Sequence, residues 1–264
     1  MIDTHCHLEQ TDYNMDRHAV VERCRKVLDA VITSCAHPKD FDLTMQLVES
    51  YPNFIHAATG IHPEYLKDIS EKQKDTYFDL IRKNKSRIVA IGECGTDYWW
   101  IKENNWREKQ RELFFEMIDL ANDLRMPLVI HARNGPDAAN AVEDAVEILE
   151  QQDADRVQMH MFNSRQLLPR VLDNGWMVSV NTLLLKSKGL RKIVRNCPLG
   201  QLMLETDAPW LAVDEDGTIR RPVKKRNEPT AVSLVAKNIA EIKKLTLRQV
   251  DTITTENAKR FFKI

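Results

Sequence analysis

The sequence predicts a closed (β/α)8 barrel in a single domain spanning residues 1–264, and three observations lead to that fold class. Short apolar, β-branched runs alternate with longer amphipathic stretches along the whole 264-residue chain, as expected of strands buried on both faces between helices. No low-complexity linker interrupts the alternation. The strand candidates number eight, and over this length that count suits a closed barrel better than two separate domains.

The candidates, in order, are IDTH at Ile2, AVITSC from Ala30, FIHAATG from Phe54, IVAIG from Ile88, PLVIH from Pro127, RVQMH from Arg156, WMVSV from Trp176 and LMLET from Leu202. Each is brief enough for a buried parallel strand. Helical patterns lie between them, such as REKQRELFFEMIDLANDL from Arg107 and DAANAVEDAVEILEQQ from Asp137, where apolar positions recur every three or four residues. Pro127 follows the first of these and Gly175 follows another helix end at Asn174, as stop signals do. If one strand is illusory, an open doubly wound sheet is the next architecture. The chain carries neither the GxGxxG fingerprint nor a Walker-type phosphate loop, so neither nucleotide cradle is available.

With 43% hydrophobic and 29% charged residues the composition is that of a soluble globular protein. A formal net charge of -1 excludes a basic body that coats nucleic acid through its general field, so a polyanion must be held locally. RRPVKKR, with Arg220, Arg221, Lys224, Lys225 and Arg226, is the one concentrated basic stretch. It reads either as a solvated loop or as a phosphate rim in which Lys224 and Lys225 bind substrate. The five cysteines are odd in number, scattered and without a CxxC pair. Reduced thiols are expected rather than a disulfide framework or a thiolate zinc site. No apolar run approaches a membrane span, and the start lacks the pattern of a signal peptide. The expected location is therefore the cytoplasm, away from membrane. Oligomeric state is not legible.

The first strand ends in HCH. In an extended strand His5 and His7 project to one face and Cys6 to the other, so the two imidazoles share a target. Glu93 follows the fourth strand, His131 closes the fifth, His160 closes the sixth and Asp207 follows the eighth. Six potential ligands thus stand at the same end of five strands, where a barrel builds its active site. Four imidazoles and two carboxylates without a thiolate suit divalent zinc or manganese and also allow magnesium. They are too many for one open catalytic site, which commonly takes three protein groups. Two divalent metal ions are expected, with Glu93 as the candidate bridge. Paired cations activate water and polarise the bond to be broken, and Asp207 is placed both to hold a metal and to accept the proton.

DTHCH near the start, GIHP at Gly60, IGECGTDY at Ile91, IHAR at Ile130, the histidine of HMFNS, ETDAPWL at Glu205 and RNEP at Arg226 follow one another along almost the whole chain, to NAKRFF at Asn257. In this order and spacing they resemble the TatD family of metal-dependent nucleases. The resemblance implies a barrel with a dinuclear site and exonucleolytic cleavage of phosphodiester bonds in DNA, possibly RNA. It also implies His5, His7, Glu93, His131, His160 and Asp207 as ligands. The departures are Cys94 where an aliphatic residue is usual, Glu64 where a histidine is usual, and HMFNS in place of HCFSG at His160.

Asp207, Glu93, Glu205 and His62 make up the expected catalytic set. His62, after the third strand, is placed to touch a phosphate or donate to a leaving oxygen, or else is a turn histidine fixed by Pro63. Arg133 is a candidate phosphate clamp, with a structural ion pair as the rival reading. Glu205 orients a ligand or water, or is a buried partner to an arginine. Tyr98, Trp99 and Trp100 either stack on an unpaired base or form a packed lid. His18, His37 and His56 are assigned to no metal, and Cys94 is expected to pack away from Glu93. A competing function is ester or amide hydrolysis on a related barrel, such as removal of D-amino acids from tRNA.

Overall fold

A computed structural model describes residues 1–137, 139–213 and 226–264. Arg220, Arg221, Lys224 and Lys225 of the basic run lie outside the described residues. Eight strands appear where the sequence places them: β1 (Ile2–Cys6), β2 (Ala30–Cys35), β3 (Ile55–Thr59), β4 (Ile88–Asp97), β5 (Leu128–Arg133), β6 (Val157–Met159), β7 (Met177–Val180) and β8 (Leu202–Leu204). They form one sheet in sequence order, and every neighbouring pair from β1–β2 to β7–β8 is parallel. Around it run α1 (Arg17–Arg25), α2 (Phe41–Ser50), α3 (Glu71–Lys83), α4 (Asn104–Leu124), α5 (Ala141–Gln151), α6 (Leu168–Asp173), α7 (Lys188–Asn196), α8 (Val232–Lys243) and α9 (Leu247–Phe262).

Side-chain caps set the starts of α3, α5, α7 and α9. α5 begins at Ala141 rather than Asp137 because Asn140 accepts the Glu143 N–H at 3.2 Å as its cap. Asp137 instead pairs with Arg107 at 2.9 Å. α3 and α9 open on reciprocal capping boxes, Ser70 with Gln73 and Thr246 with Gln249.

β4 outruns the IVAIG segment, continuing through Glu93 to Asp97. The glycines that look like a strand end are close approaches to β5. A Cβ on Gly92 would sit 2.3 Å from the Val129 carbonyl and one on Gly95 2.1 Å from the His131 carbonyl, and both glycines have a φ of +136°. Only glycine fits both the space and the backbone. Pairing therefore resumes beyond Gly92, with Cys94, Gly95, Thr96 and Asp97 opposite Ile130, His131, Ala132 and Arg133.

The barrel interior is layered. Its floor is apolar: Ile2, Ala30, Ile32, Ala58, Ala90, Val129, Met177 and Met203 pack against Phe261 and Phe262 at the end of α9. Polar side chains follow above, where Gln158 donates to Thr4 Oγ1 and to Ser179 Oγ, each at 3.0 Å. The histidines and carboxylates occupy the mouth, at the strands' C-terminal ends. Outside the barrel, the main core fills the space between strands and helices, with Trp176 as one of its largest fully buried side chains.

The seam between β8 and β1 is closed largely by side chains and by backbone beyond β8. Thr4 Oγ1 donates to the Leu204 carbonyl at 2.9 Å. Thr206 donates from Oγ1 to Asp3 Oδ2 at 2.5 Å and from its N–H to Asp3 Oδ1 at 3.0 Å. The N–H of Asp207 reaches the His5 carbonyl at 2.9 Å, and that of His7 reaches Ala208 at 2.7 Å. Among the described residues no helix is long and apolar enough to cross a membrane.

Candidate metal centre

β1 carries a register shift between Asp3 and Cys6, so Ile2 and Thr4 face inward low in the strand and His5 and His7 face inward at its top. Their Nε2 atoms stand 3.1 Å apart. Cys6 points the other way, donating to the Ile32 carbonyl at 3.4 Å. The far ring nitrogens are held from behind. His5 Nδ1 meets Ser34 Oγ at 3.1 Å, and His7 Nδ1 meets the buried carboxylate of Glu9 at 3.2 Å.

Glu93 lies at the centre and its two oxygens serve different histidines. Oε2 is 3.4 Å from His5 Nε2 and 3.6 Å from His7 Nε2. Oε1 is 2.8 Å from His131 Nδ1, 3.7 Å from His160 Nε2 and 3.6 Å from His62 Nε2. Burial works to raise the Glu93 carboxyl, but His62, His5 and the hydrogen bond with His131 hold it well below the usual carboxylate range. Asp207 closes the group, with Oδ1 3.5 Å from His7 Nε2 and 3.8 Å from His5 Nε2. Its backbone is left-handed, φ +57°, a conformation non-glycine residues take up at a cost where surroundings enforce it. Its N–H makes the seam hydrogen bond to the His5 carbonyl.

All six expected ligands thus meet in one pocket. His5, Glu93 and His160 offer atoms within 4.8 Å of one another, as do His5, His7 and Asp207, and also His62, Asp97 and His131. The donor chemistry fits divalent cations. His7 and His160 each have Nδ1 on a carboxylate, so Nε2 is presented to the pocket, as metal-binding imidazoles require.

Glu205 does not reach the pocket. It is fully buried and accepts from Met161 N–H at 2.9 Å, Ser179 Oγ at 2.6 Å and Asn181 Nδ2 at 3.3 Å, while His160 Nδ1 lies 2.9 Å away. Its contact with the donor cluster is His160, and no arginine is among its partners in the described residues. His62 accepts the Glu64 N–H on Nδ1 at 3.1 Å, which leaves the ring proton on Nε2, facing Glu93. Burial and the neighbouring His131 push its pKa down to about 3, so it is a neutral donor near pH 7.

Arg133, at the end of β5, makes no ion pair among the described residues; its guanidinium lies 4.9 Å from the Trp99 ring and 5.8 Å from that of Trp100. Tyr98 is buried and bonds Asp144 at 2.5 Å, so it packs while the two tryptophans stay exposed. Cys94 Sγ is directed at the Val129 carbonyl, 3.9 Å away, and burial pushes its thiol up. His18 is exposed on α1 and bonds Tyr51, His37 caps the turn at Pro38, and His56 lies within β3.

Two carboxylates escaped the sequence reading. Asp97 Oδ2 meets His131 Nε2 at 2.9 Å, and Glu9 braces His7. Asp97 had a signal in the period of two, since Glu93, Gly95 and Asp97 alternate along one face of β4, whereas Glu9 lies in the turn after β1.

Fold and donor set together define a metal-dependent hydrolase built on a (β/α)8 barrel. The family model for TatD-related DNases matches residues 2–263. The chain is 35% identical to the uncharacterized metal-dependent hydrolase YabD of Bacillus subtilis, over 100% of this chain and 99% of the relative. It is 29% identical to the human deoxyribonuclease TATDN3, over 99% of this chain and 94% of that one. In the crystal structure of the Escherichia coli TatD homologue YjjV the same fold superposes with a TM-score of 0.87 at 23% identity, covering 100% of this chain and 98% of the other. The chain belongs to the TatD-related DNase family.

Proposed function

We propose that the chain is a metal-dependent phosphodiesterase that trims DNA, and RNA when offered it, from a strand end. The division of Glu93 between two sets of histidines carries this reading, since a carboxylate so placed suits a pair of cations of the zinc, manganese or magnesium type. His5, His7, Glu93, His131, His160 and Asp207 would hold them. The deoxyribonuclease name of the human relative supports the substrate class.

When bound, the cations lower the pKa of a water from about 15.7 toward 7 and polarise the phosphoryl oxygen. The side chains do the rest. The Asp207 carboxylate takes the proton of the attacking water, and the hydrogen bond from its N–H to the His5 carbonyl fixes its backbone beside the donors. His62, neutral and protonated on Nε2, donates to an oxygen of the phosphate or to the departing oxygen. Arg133 offers a planar fork of N–H groups to a phosphate at the rim. Glu205, Glu9 and Ser34 keep His160, His7 and His5 turned toward the pocket. Lys224 and Lys225 remain candidates for a phosphate rim from sequence alone.

The test couples metal analysis to digestion of oligonucleotides blocked at the 5′ or the 3′ end, with mischarged tRNA in parallel. Two metals per chain and mononucleotides released from strands with one particular end free are expected. Deacylation of the tRNA without chain shortening would overturn the reading in favour of an ester hydrolase.

A further inference from the structure

Three of the five tryptophans are exposed: Trp99 at 44%, Trp100 at 53% and Trp210 at 44%. All three stand at the mouth of the barrel. Trp99 and Trp100 follow β4, and Trp210 follows β8 beyond Asp207. Because the eight strands run in sequence order around the barrel, the β4–β5 side and the β8–β1 side lie across the donor cluster from each other. Large exposed aromatic faces grouped in this way mark a binding surface.

Both stations are fixed to the cluster. The N–H groups of Trp99 and Trp100 each donate to Asp97 Oδ1 at 2.8 Å, and Asp97 Oδ2 meets His131 at 2.9 Å. The N–H of Trp210 donates to the Asp207 carbonyl at 3.0 Å, and its ring stands edge-on to His7 with centroids 4.7 Å apart. On the β4–β5 side the Arg133 guanidinium lies over both indoles without an ion-pair partner among the described residues. A ring beside an uncommitted cation matches a chain that alternates base and phosphate.

We propose that Trp210 on one side and Trp99 with Trp100 on the other are base-stacking stations flanking the reacting phosphate, so that this chain selects strands whose terminal bases are unpaired. The inference rests on the phosphodiesterase reading and deepens it by naming the form of the strand. Bases paired at a blunt duplex end keep their faces against their neighbours and offer none to the indoles.

The experiment uses the full chain loaded with metal. Binding is followed by anisotropy and tryptophan quenching with three probes: a phosphorothioate oligothymidylate, which resists cleavage, an abasic phosphorothioate strand of equal length, and a blunt phosphorothioate duplex. Stacking predicts that the abasic strand and the duplex bind at least about tenfold more weakly than the oligothymidylate, the scale of one base–aromatic stack. Trp210→Ala and the Trp99→Ala/Trp100→Ala pair should each lose about tenfold toward the oligothymidylate and almost nothing toward the abasic strand. Because these side chains are exposed, the variants should melt with the parent. Equal binding of basic and abasic strands, with both unmodified counterparts still cleaved, overturns the stacking inference alone. If neither strand is bound or cut, the phosphodiesterase reading falls and the inference falls with it.

Discussion

Asp97 holds His131 with one oxygen and the Trp99–Trp100 backbone with the other, at 2.9 Å and 2.8 Å. His131 is thereby clamped between Asp97 and Glu93, and although burial opposes it, those two hydrogen bonds raise its pKa to about 10. A carboxylate behind a metal-binding imidazole fixes the ring and strengthens it as a donor. Asp97→Asn should therefore weaken metal affinity by about 10–100-fold, read by competition with a chelating dye. An affinity equal to the parent's would remove Asp97 from the centre.

Glu93 has histidines on both oxygens, and no other carboxylate in the described part of the pocket is shared this way. Glu93→Ala should take the metal content of the purified chain from two ions to one or none. Turnover should drop by about a thousandfold or more, because several kcal/mol of charge stabilisation go with the ions. Retention of two ions in elemental analysis would show that Glu93 does not join them.

Asp207 is the member of the cluster whose backbone conformation, φ +57°, has to be enforced. Its carboxyl is held below the usual range because His7 and His160 outweigh the opposing effect of burial, so it stays an anion near pH 7. Asp207→Asn should lower kcat by about 10²–10⁴-fold with a much smaller change in KM. Steady-state kinetics on a labelled strand decide it, and a loss confined to KM would recast Asp207 as a binding group.

The strands were legible because parallel strands under helices read as continuous apolar runs, and the six donors because they end those runs. In the sequence Gly92 and Gly95 look like the end of β4; only the distance to the β5 backbone explains them. Asp97 was hidden for the same reason, lying beyond the apparent strand end. Asn140 displaced the start of α5 because a single capping bond outweighs an amphipathic pattern that extends too far. Glu205 ends the eighth apolar run in the sequence, but what it holds, His160, lies 45 residues away and depends on three-dimensional closure. Likewise Asp3 and Thr206 were seen as parts of two motifs, and their bond across the seam needed the barrel itself.

Arg133 is stacked rather than ion-paired among the described residues, which leaves its N–H groups for substrate. Arg133→Lys keeps the charge but loses the fork and the flat face. Both Arg133→Lys and Arg133→Ala should raise KM for oligonucleotides by about tenfold or more, the scale of a hydrogen bond to a charged group, at nearly unchanged metal content. Full rescue by lysine would reduce the role of Arg133 to a point charge.

The barrel floor makes an independent claim on stability. Phe261 and Phe262, with ring centroids 4.8 Å apart and planes at 85°, end α9 and close the barrel at the end opposite the donors, against Ile2, Ala30, Met177 and Met203. Phe262 is 3% exposed, so truncation leaves a cavity that the rigid strand ends are poorly able to fill. Phe262→Ala should cost about 3–5 kcal/mol, tempered toward the lower figure because the last turn of a helix yields more easily than a strand. Met15→Ala, at a site 95% exposed, should change stability by no more than about 0.5 kcal/mol. Urea titration measures both, and metal content should be unaltered in each because floor and mouth are separated by the polar layer of Thr4, Gln158 and Ser179. A Phe262→Ala loss under about 1 kcal/mol would mean that the end of α9 rests on the barrel without sealing it.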